Sequence, residues 1–93
     1  LNNWDVSKVE NMVSAFSKCE IFNQPLNNWN VYNVRYMYDM FAGCIKFNQN
    51  LNNWNVLSNC VTSKMFKNIP LFDYKEKAIW YESTENNLRF VIL

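Results

Sequence analysis

Apolar positions along the chain recur in a fixed order every 25 residues. Leu1-Asn2-Asn3-Trp4 returns as Leu26-Asn27-Asn28-Trp29 and again as Leu51-Asn52-Asn53-Trp54, with no insertion between copies. The first two copies also agree at Val6/Val31, Val9/Val34, Met12/Met37, Phe16/Phe41 and Cys19/Cys44, and in Phe22-Asn23-Gln24 against Phe47-Asn48-Gln49. The third keeps Trp54, Val56, Phe66 and Phe72 but has Asn59, Thr62 and Ile69 where valine, methionine and cysteine stood. Such a period marks a repeat architecture: one unit cannot bury its apolar face alone, and stacking on a neighbour closes it.

Within a copy the apolar period changes once. Trp29 and Val31 alternate, which predicts a strand over 28–31. Val9, Met12, Val13 and Phe16 then fall at i, i+3, i+4 and i+7, the pattern of a short helix, and Val34, Met37, Tyr38 and Phe41 repeat it. Ser7-Lys8-Val9-Glu10 reads as a capping box, with Asn33 as the weaker cap of the second copy. Lys18, Gly43 and Asn68 align where a helix would end in the left-handed conformation. Phe22-Asn23-Gln24-Pro25 reads as a turn. The spacing Leu26-x-x-Trp29-x-Val31-x-x-Val34 is that of a leucine-rich repeat.

The fold expected from these patterns is α/β: a leucine-rich-repeat-like solenoid of three strand-helix coils, 1–25, 26–50 and 51–73, with a C-terminal cap over 74–93. Equivalent residues stack in columns: Trp4, Trp29 and Trp54; Phe16, Phe41 and Phe66; Phe22, Phe47 and Phe72. Trp80 falls outside the register. In the cap, Tyr74, Ala78 and Tyr81 predict a helix, Asn86-Asn87 a turn, and Leu88 to Leu93 a strand.

Composition narrows the chemistry. An apolar share of 49% with 18% charged residues belongs to a chain that packs. The net charge of +1 supplies no field for a nucleic-acid backbone or an anionic bilayer. The absence of histidine removes the commonest general base and metal ligand, and a single glycine leaves no phosphate-cradling loop. Three cysteines without Cys-x-x-Cys spacing make neither a zinc site nor a disulfide framework. Asp5, Glu10, Glu20 and Asp39 do not repeat in register, so they read as solvated charge. No catalytic residue, cofactor, metal or membrane span is therefore expected. Cys19 and Cys44 share a register, as a column of buried thiols or as a disulfide; Cys60, out of register, is expected to be the most accessible.

The pattern V-x-x-M-x-x-x-F-x-x-C-x-x-F-N-Q-x-L-x-x-W-x-V, over Leu1 to about Asp73, resembles the repeats of BspA-like leucine-rich repeat surface proteins. The same repeat is known from a family of unknown function first noted in mycoplasma lipoproteins. The resemblance implies a right-handed solenoid on cell-surface or secreted proteins, used for adhesion and protein contacts. The chain shows no signal or anchor of its own, so its compartment stays open.

The functional expectation is a non-catalytic module, part of a longer array, that binds a protein partner through a concave sheet face. Its residues are Asn3, Asp5 and Ser7, then Asn28, Asn30 and Tyr32, then Asn53, Asn55 and Leu57. Amides offer donors and acceptors without the desolvation penalty of a charge; the alternative is that stacked asparagines satisfy one another, as expected for Asn23 and Asn48. Other readings are a structural spacer, self-association through the first repeat, and a glycan binder using the tryptophans, which the inward pattern of those positions disfavours.

Overall fold

The computed structural model describes residues 1–81. Its three coils (coil 1 over 1–25, coil 2 over 26–50, coil 3 over 51–73) lie on one another, but they are not built of strands and helices. The described residues form no sheet. The only bridges among them are two isolated parallel ones, Asn11 to Tyr36 and Tyr36 to Val61, and α-helix appears only at Tyr74–Lys77 (α1) and at 79–81. The expected α/β leucine-rich-repeat solenoid of strand-helix coils is therefore corrected. Residues 28–31 are not a strand, and the bridges fall in the stretch expected to be helical.

The unit of construction is a tight turn. Backbone N–H groups donate to the carbonyl three residues back from Leu26 to Trp29, Val31 to Val34, Met37 to Met40, Phe41 to Cys44 and Cys44 to Phe47. All the residues at both ends of these turns are buried. The two residues between them point outward, with Phe41, next to the buried Met40, starting the next turn. An i, i+3 apolar spacing thus serves a train of turns as well as it serves a helix. The residues that separate the two are the i+4 positions, Val13 and Tyr38, which a helix would bury. They are 44% and 38% exposed.

Backbone dihedrals show why no helix forms. Ser14, Lys18, Asp39, Gly43, Lys64 and Asn68 all have positive φ, between 56° and 78°. Two left-handed residues four apart in each coil break any run of right-handed turns. The column Lys18, Gly43 and Asn68 does adopt the left-handed conformation expected of it, within a turn rather than at a helix end. The column Ser14, Asp39 and Lys64 carries no sequence signal for it.

This conformation turns alternate N–H groups toward the next coil. Met12, Ser14, Phe16 and Lys18 donate to the carbonyls of Tyr36, Tyr38, Met40 and Ala42 at 2.7–2.9 Å. Met37, Asp39, Phe41 and Gly43 repeat the pattern onto Val61, Ser63, Met65 and Lys67 at 2.7–3.1 Å. Every second donor closes a turn and every other one ties coil to coil, which satisfies a backbone without regular secondary structure.

Aromatic columns fill the interior. Phe16, Phe41 and Phe66 stack at 5.5 and 5.8 Å between ring centroids, within 8° of parallel. Phe22, Phe47 and Phe72 follow at 5.8 and 5.4 Å. Trp29 lies on Trp54 at 6.4 Å. Trp4 does not join this column; it is 63% exposed, against 6% for Trp29 and 3% for Trp54.

Trp80 does join it, 6.0 Å from Trp54, and the expectation that it lies outside the repeat is corrected. The extra residue is absorbed by α1, capped by the Asp73 carboxylate, which accepts from the Lys75 N–H. Helix ends at Ala78, whose φ of −146° and ψ of 64° are not helical. The continuous helix expected through Tyr81 is thus broken there, and the break lets Ala78 bury fully while Trp80 reaches the column. The turn expected at Asn86-Asn87 and the strand over Leu88 to Leu93 lie outside the described residues.

Candidate functional site

Two neighbouring columns of asparagine side chains behave differently. Asn2 accepts from the Asn28 N–H at 3.0 Å and Asn27 from the Asn53 N–H at 3.1 Å. Asn52 accepts from the Ile79 N–H at 3.0 Å, and its own amide donates to the Glu76 carbonyl at 2.9 Å. This column, partly buried, ties each coil to the next. The residues one place further on, Asn3, Asn28 and Asn53, are exposed, and their side chains make no hydrogen bond among the described residues. Three free amides in register stand beside three that are spent on the scaffold.

The remaining expected site residues extend the same side of the coils. Asp5 accepts from both the N–H and the hydroxyl of Ser7, at 3.0 and 2.6 Å. These bonds hold its carboxyl below the ordinary range, the hydroxyl contributing most. Asn30 accepts from the Tyr32 N–H at 3.2 Å in the equivalent turn. Asn55 is exposed and its side chain is unbonded among the described residues. Tyr32 is 49% exposed, and Leu57 is partly buried against the core. All nine residues thus reach the surface or its margin, but on consecutive turns. The concave sheet face expected from the sequence is absent among the described residues, which contain no strand to make one.

A second amide system lies at the coil junctions. Asn23 accepts from the Asn48 N–H at 2.9 Å and from Gln49 Nε2 at 2.9 Å, while the Asn23 carbonyl accepts from the same Nε2 at 3.1 Å. One coil on, Lys77 Nζ takes the place of that amide and donates to Asn48 Oδ1 at 2.7 Å and to the Asn48 carbonyl at 3.2 Å. The ladder role expected for Asn23 and Asn48 is observed.

The tryptophans have polar partners that sequence reading missed. Nε1 of Trp29, Trp54 and Trp80 donates to the carbonyls of Leu1, Leu26 and Leu51 at 2.7, 2.8 and 2.8 Å. The recurrent Leu-x-x-Trp block is the signal that would have found them, since a buried indole N–H needs an acceptor. Trp54 is covered by Trp29 on one side and Trp80 on the other, which leaves no indole face for a sugar.

The three thiols are free. Cys44 is fully buried and donates to the Phe16 carbonyl at 2.8 Å. Burial pushes the thiols of Cys44 and Cys60 up to about 11 each. Cys19, not Cys60, is the exposed one, so the expected order of accessibility is reversed. Cys60 occupies the register place of Glu10 and Arg35 but turns inward to full burial. Glu10 and Arg35 themselves form an exposed ion pair at 3.4 Å, worth little in water. Among the described residues no three histidine, cysteine, aspartate or glutamate side chains converge on a point that could hold a metal.

No curated protein and no solved structure matches the chain. A family described as "Mycoplasma protein of unknown function, DUF285" matches residues 1–90, which takes in all three coils and the Trp80 segment. The match is to the mycoplasma-type repeat and not to the BspA-like leucine-rich repeat as such. With 90 of its 93 residues matched, the chain belongs to this mycoplasma family of unknown function, DUF285.

Proposed function

We propose that the chain is a non-catalytic protein-interaction module working through the turn face that carries Asn3, Asn28 and Asn53, flanked by Asp5, Asn30, Tyr32 and Asn55. The observation that carries this reading is the contrast between adjacent amide columns. Asn2, Asn27 and Asn52 are engaged in holding coils together, whereas Asn3, Asn28 and Asn53 are exposed and hold nothing. A free amide column on a repeat presents a donor and an acceptor in every coil. An exposed tyrosine beside it adds the aromatic area that interfaces favour. The partner is a protein, and neither nucleic acid nor a membrane enters the reading. The likeness of the repeat motif to BspA-like surface proteins supports an adhesive use at a cell surface. Residues 1–73 form the binding array in this reading, and 74–93 cap it.

The test is differential capture from detergent extracts of surface-labelled cells. Asn28→Lys with Asn53→Lys is expected to lose proteins that the parent chain captures, while Lys67→Gln, outside this face, keeps them. Tryptophan fluorescence and circular dichroism check that both variants remain folded. Equal capture by both variants overturns the assignment of this face.

A further inference from the structure

Position 43 carries the chain's single glycine, and conformation alone does not demand it. Lys18 and Asn68, its counterparts in coils 1 and 3, hold the same left-handed backbone at φ 61° and 56° with full side chains. What glycine adds at this place is room. Ala42 beside it is almost as small, and it stands between Ser17 and Lys67 in the neighbouring coils. The two short residues of coil 2 open a notch of about 190 Å3, bounded by Ser17 and Lys18 of coil 1 and by Lys67 and Asn68 of coil 3. Its volume is below the ~300 Å3 of a drug-sized site, so it suits one small residue and not a large cofactor.

Backbone groups in the notch are already used. The Lys18 N–H donates to the Ala42 carbonyl at 2.7 Å and the Gly43 N–H to the Lys67 carbonyl at 2.9 Å. Recognition there falls to side chains. The stem of Lys18 runs beside the glycine, its Cγ 3.5 Å from the place a Gly43 Cβ would take. Neither the Lys18 nor the Lys67 ammonium has a partner among the described residues. Half-buried Asp39 also lines the notch. The hydroxyls of Ser14 and Ser17 both donate to its Oδ2, at 3.2 and 3.3 Å, which fixes the carboxylate and leaves Oδ1 to accept from elsewhere.

Two ammonium groups, one carboxylate and the Asn68 amide ask for a ligand of mixed chemistry. A bare oxyanion would satisfy the lysines but meet Asp39 with like charge. A neutral sugar would donate to Asp39 and leave both ammonium groups unpaired. A ring that carries a carboxylate beside hydroxyls satisfies both sides at once, with charge-assisted bonds to the lysines. We propose that the notch at Ala42 and Gly43 binds a single acidic sugar residue of the uronic acid class. Its carboxylate is held by Lys18 and Lys67, and its hydroxyls by Asp39 and Asn68. The site is separate from the amide face proposed above and does not depend on it.

Titration of the isotope-labelled 93-residue chain with galacturonate tests it, read by NMR at the Gly43 amide, the one glycine signal in the spectrum. The expected result is a saturable shift at Ala42, Gly43 and Asn68 with a Kd of ~1 mM. Acetate supplies the charge alone, galactose the hydroxyls alone and free glycine a zwitterion; each should bind at least about tenfold more weakly. Ala42→Leu fills the notch and Lys67→Gln removes one ammonium. Each should weaken galacturonate binding about tenfold, with distant amide signals unmoved to show that the fold is kept. Asn28→Lys should bind galacturonate normally and Lys67→Gln should still capture protein, so the two proposals fail separately. No movement of Gly43 at about ten times the expected Kd overturns the inference. So does equal binding of acetate, galactose or free glycine, or an affinity indifferent to both notch variants.

Discussion

An asparagine in this chain is defined by its place in the repeat. Asn27 and Asn28 are adjacent and chemically identical, yet one supplies the acceptor for the Asn53 N–H and the other projects into water. Asn27→Ala should lower stability by ~1 kcal/mol, because it leaves a backbone donor without its partner. Asn28→Ala should stay within about 0.5 kcal/mol of the parent. Urea titration followed by tryptophan fluorescence separates the two, and equal losses would contradict the division of roles. Cysteines divide in the same way. At pH 8 an aromatic disulfide reagent should titrate Cys19 promptly, and Cys44 and Cys60 only after unfolding. The two buried thiols are raised from 9.0 in the unfolded chain to about 11 in the folded one. Their contribution is therefore full below pH 9 and is lost as pH rises through 11, up to ~2–3 kcal/mol per thiol. Replacing both with alanine should flatten that stretch of the stability profile, whatever the cavities cost at neutral pH.

At the scale of the element, the turn replaces the helix because left-handed residues recur within each coil. Gly43, at φ 78°, stands where Lys18 and Asn68 accept the same conformation with a side chain at φ 61° and 56°. A Cβ at Gly43 would lie 3.4 Å from the Lys18 Cα. Gly43→Ala should therefore cost about 1 kcal/mol, from the backbone conformation more than from crowding. Lys18→Gly relieves the same strain at a smaller loss in chain entropy, for a net gain of about 0.5 kcal/mol. Thermal denaturation of the two variants should move in opposite directions. The helical reading failed here for a definable reason. Spacing of three fits both an α-helix and a train of turns, and the decision rested on Val13 and Tyr38, whose apolar character suggested burial although both are substantially exposed.

The whole molecule is held by stacking. Trp29 sits between coils and its truncation to alanine should cost ~3–5 kcal/mol, close to the total stability of a small domain. Trp80→Ala removes a ring packed on Trp54, Phe66 and Tyr81 together with the bond to Leu51, and should cost about 3 kcal/mol. Trp4→Ala, at a ring that is 63% exposed, should change stability by less than ~1 kcal/mol. This ordering, read from denaturation midpoints, tests whether stability follows the burial of each indole in the column.

The period of 25, the phenylalanine columns and the Asn23 to Asn48 ladder were legible in the sequence. Each follows from like side chains meeting like when successive coils lie in register. Positions of candidate surface amides followed too, since the residues between inward apolar ones must face out. The sequence could not separate turn from helix, because side-chain spacing does not specify the sign of φ at Ser14 or Asp39. Nor could it admit Trp80 to a column that it misses by one residue in the sequence. Tertiary structure made both decisions: tying each coil to the next requires alternate N–H groups to point along the stack, and α1 takes up the extra residue so that a buried indole can find the Leu51 carbonyl.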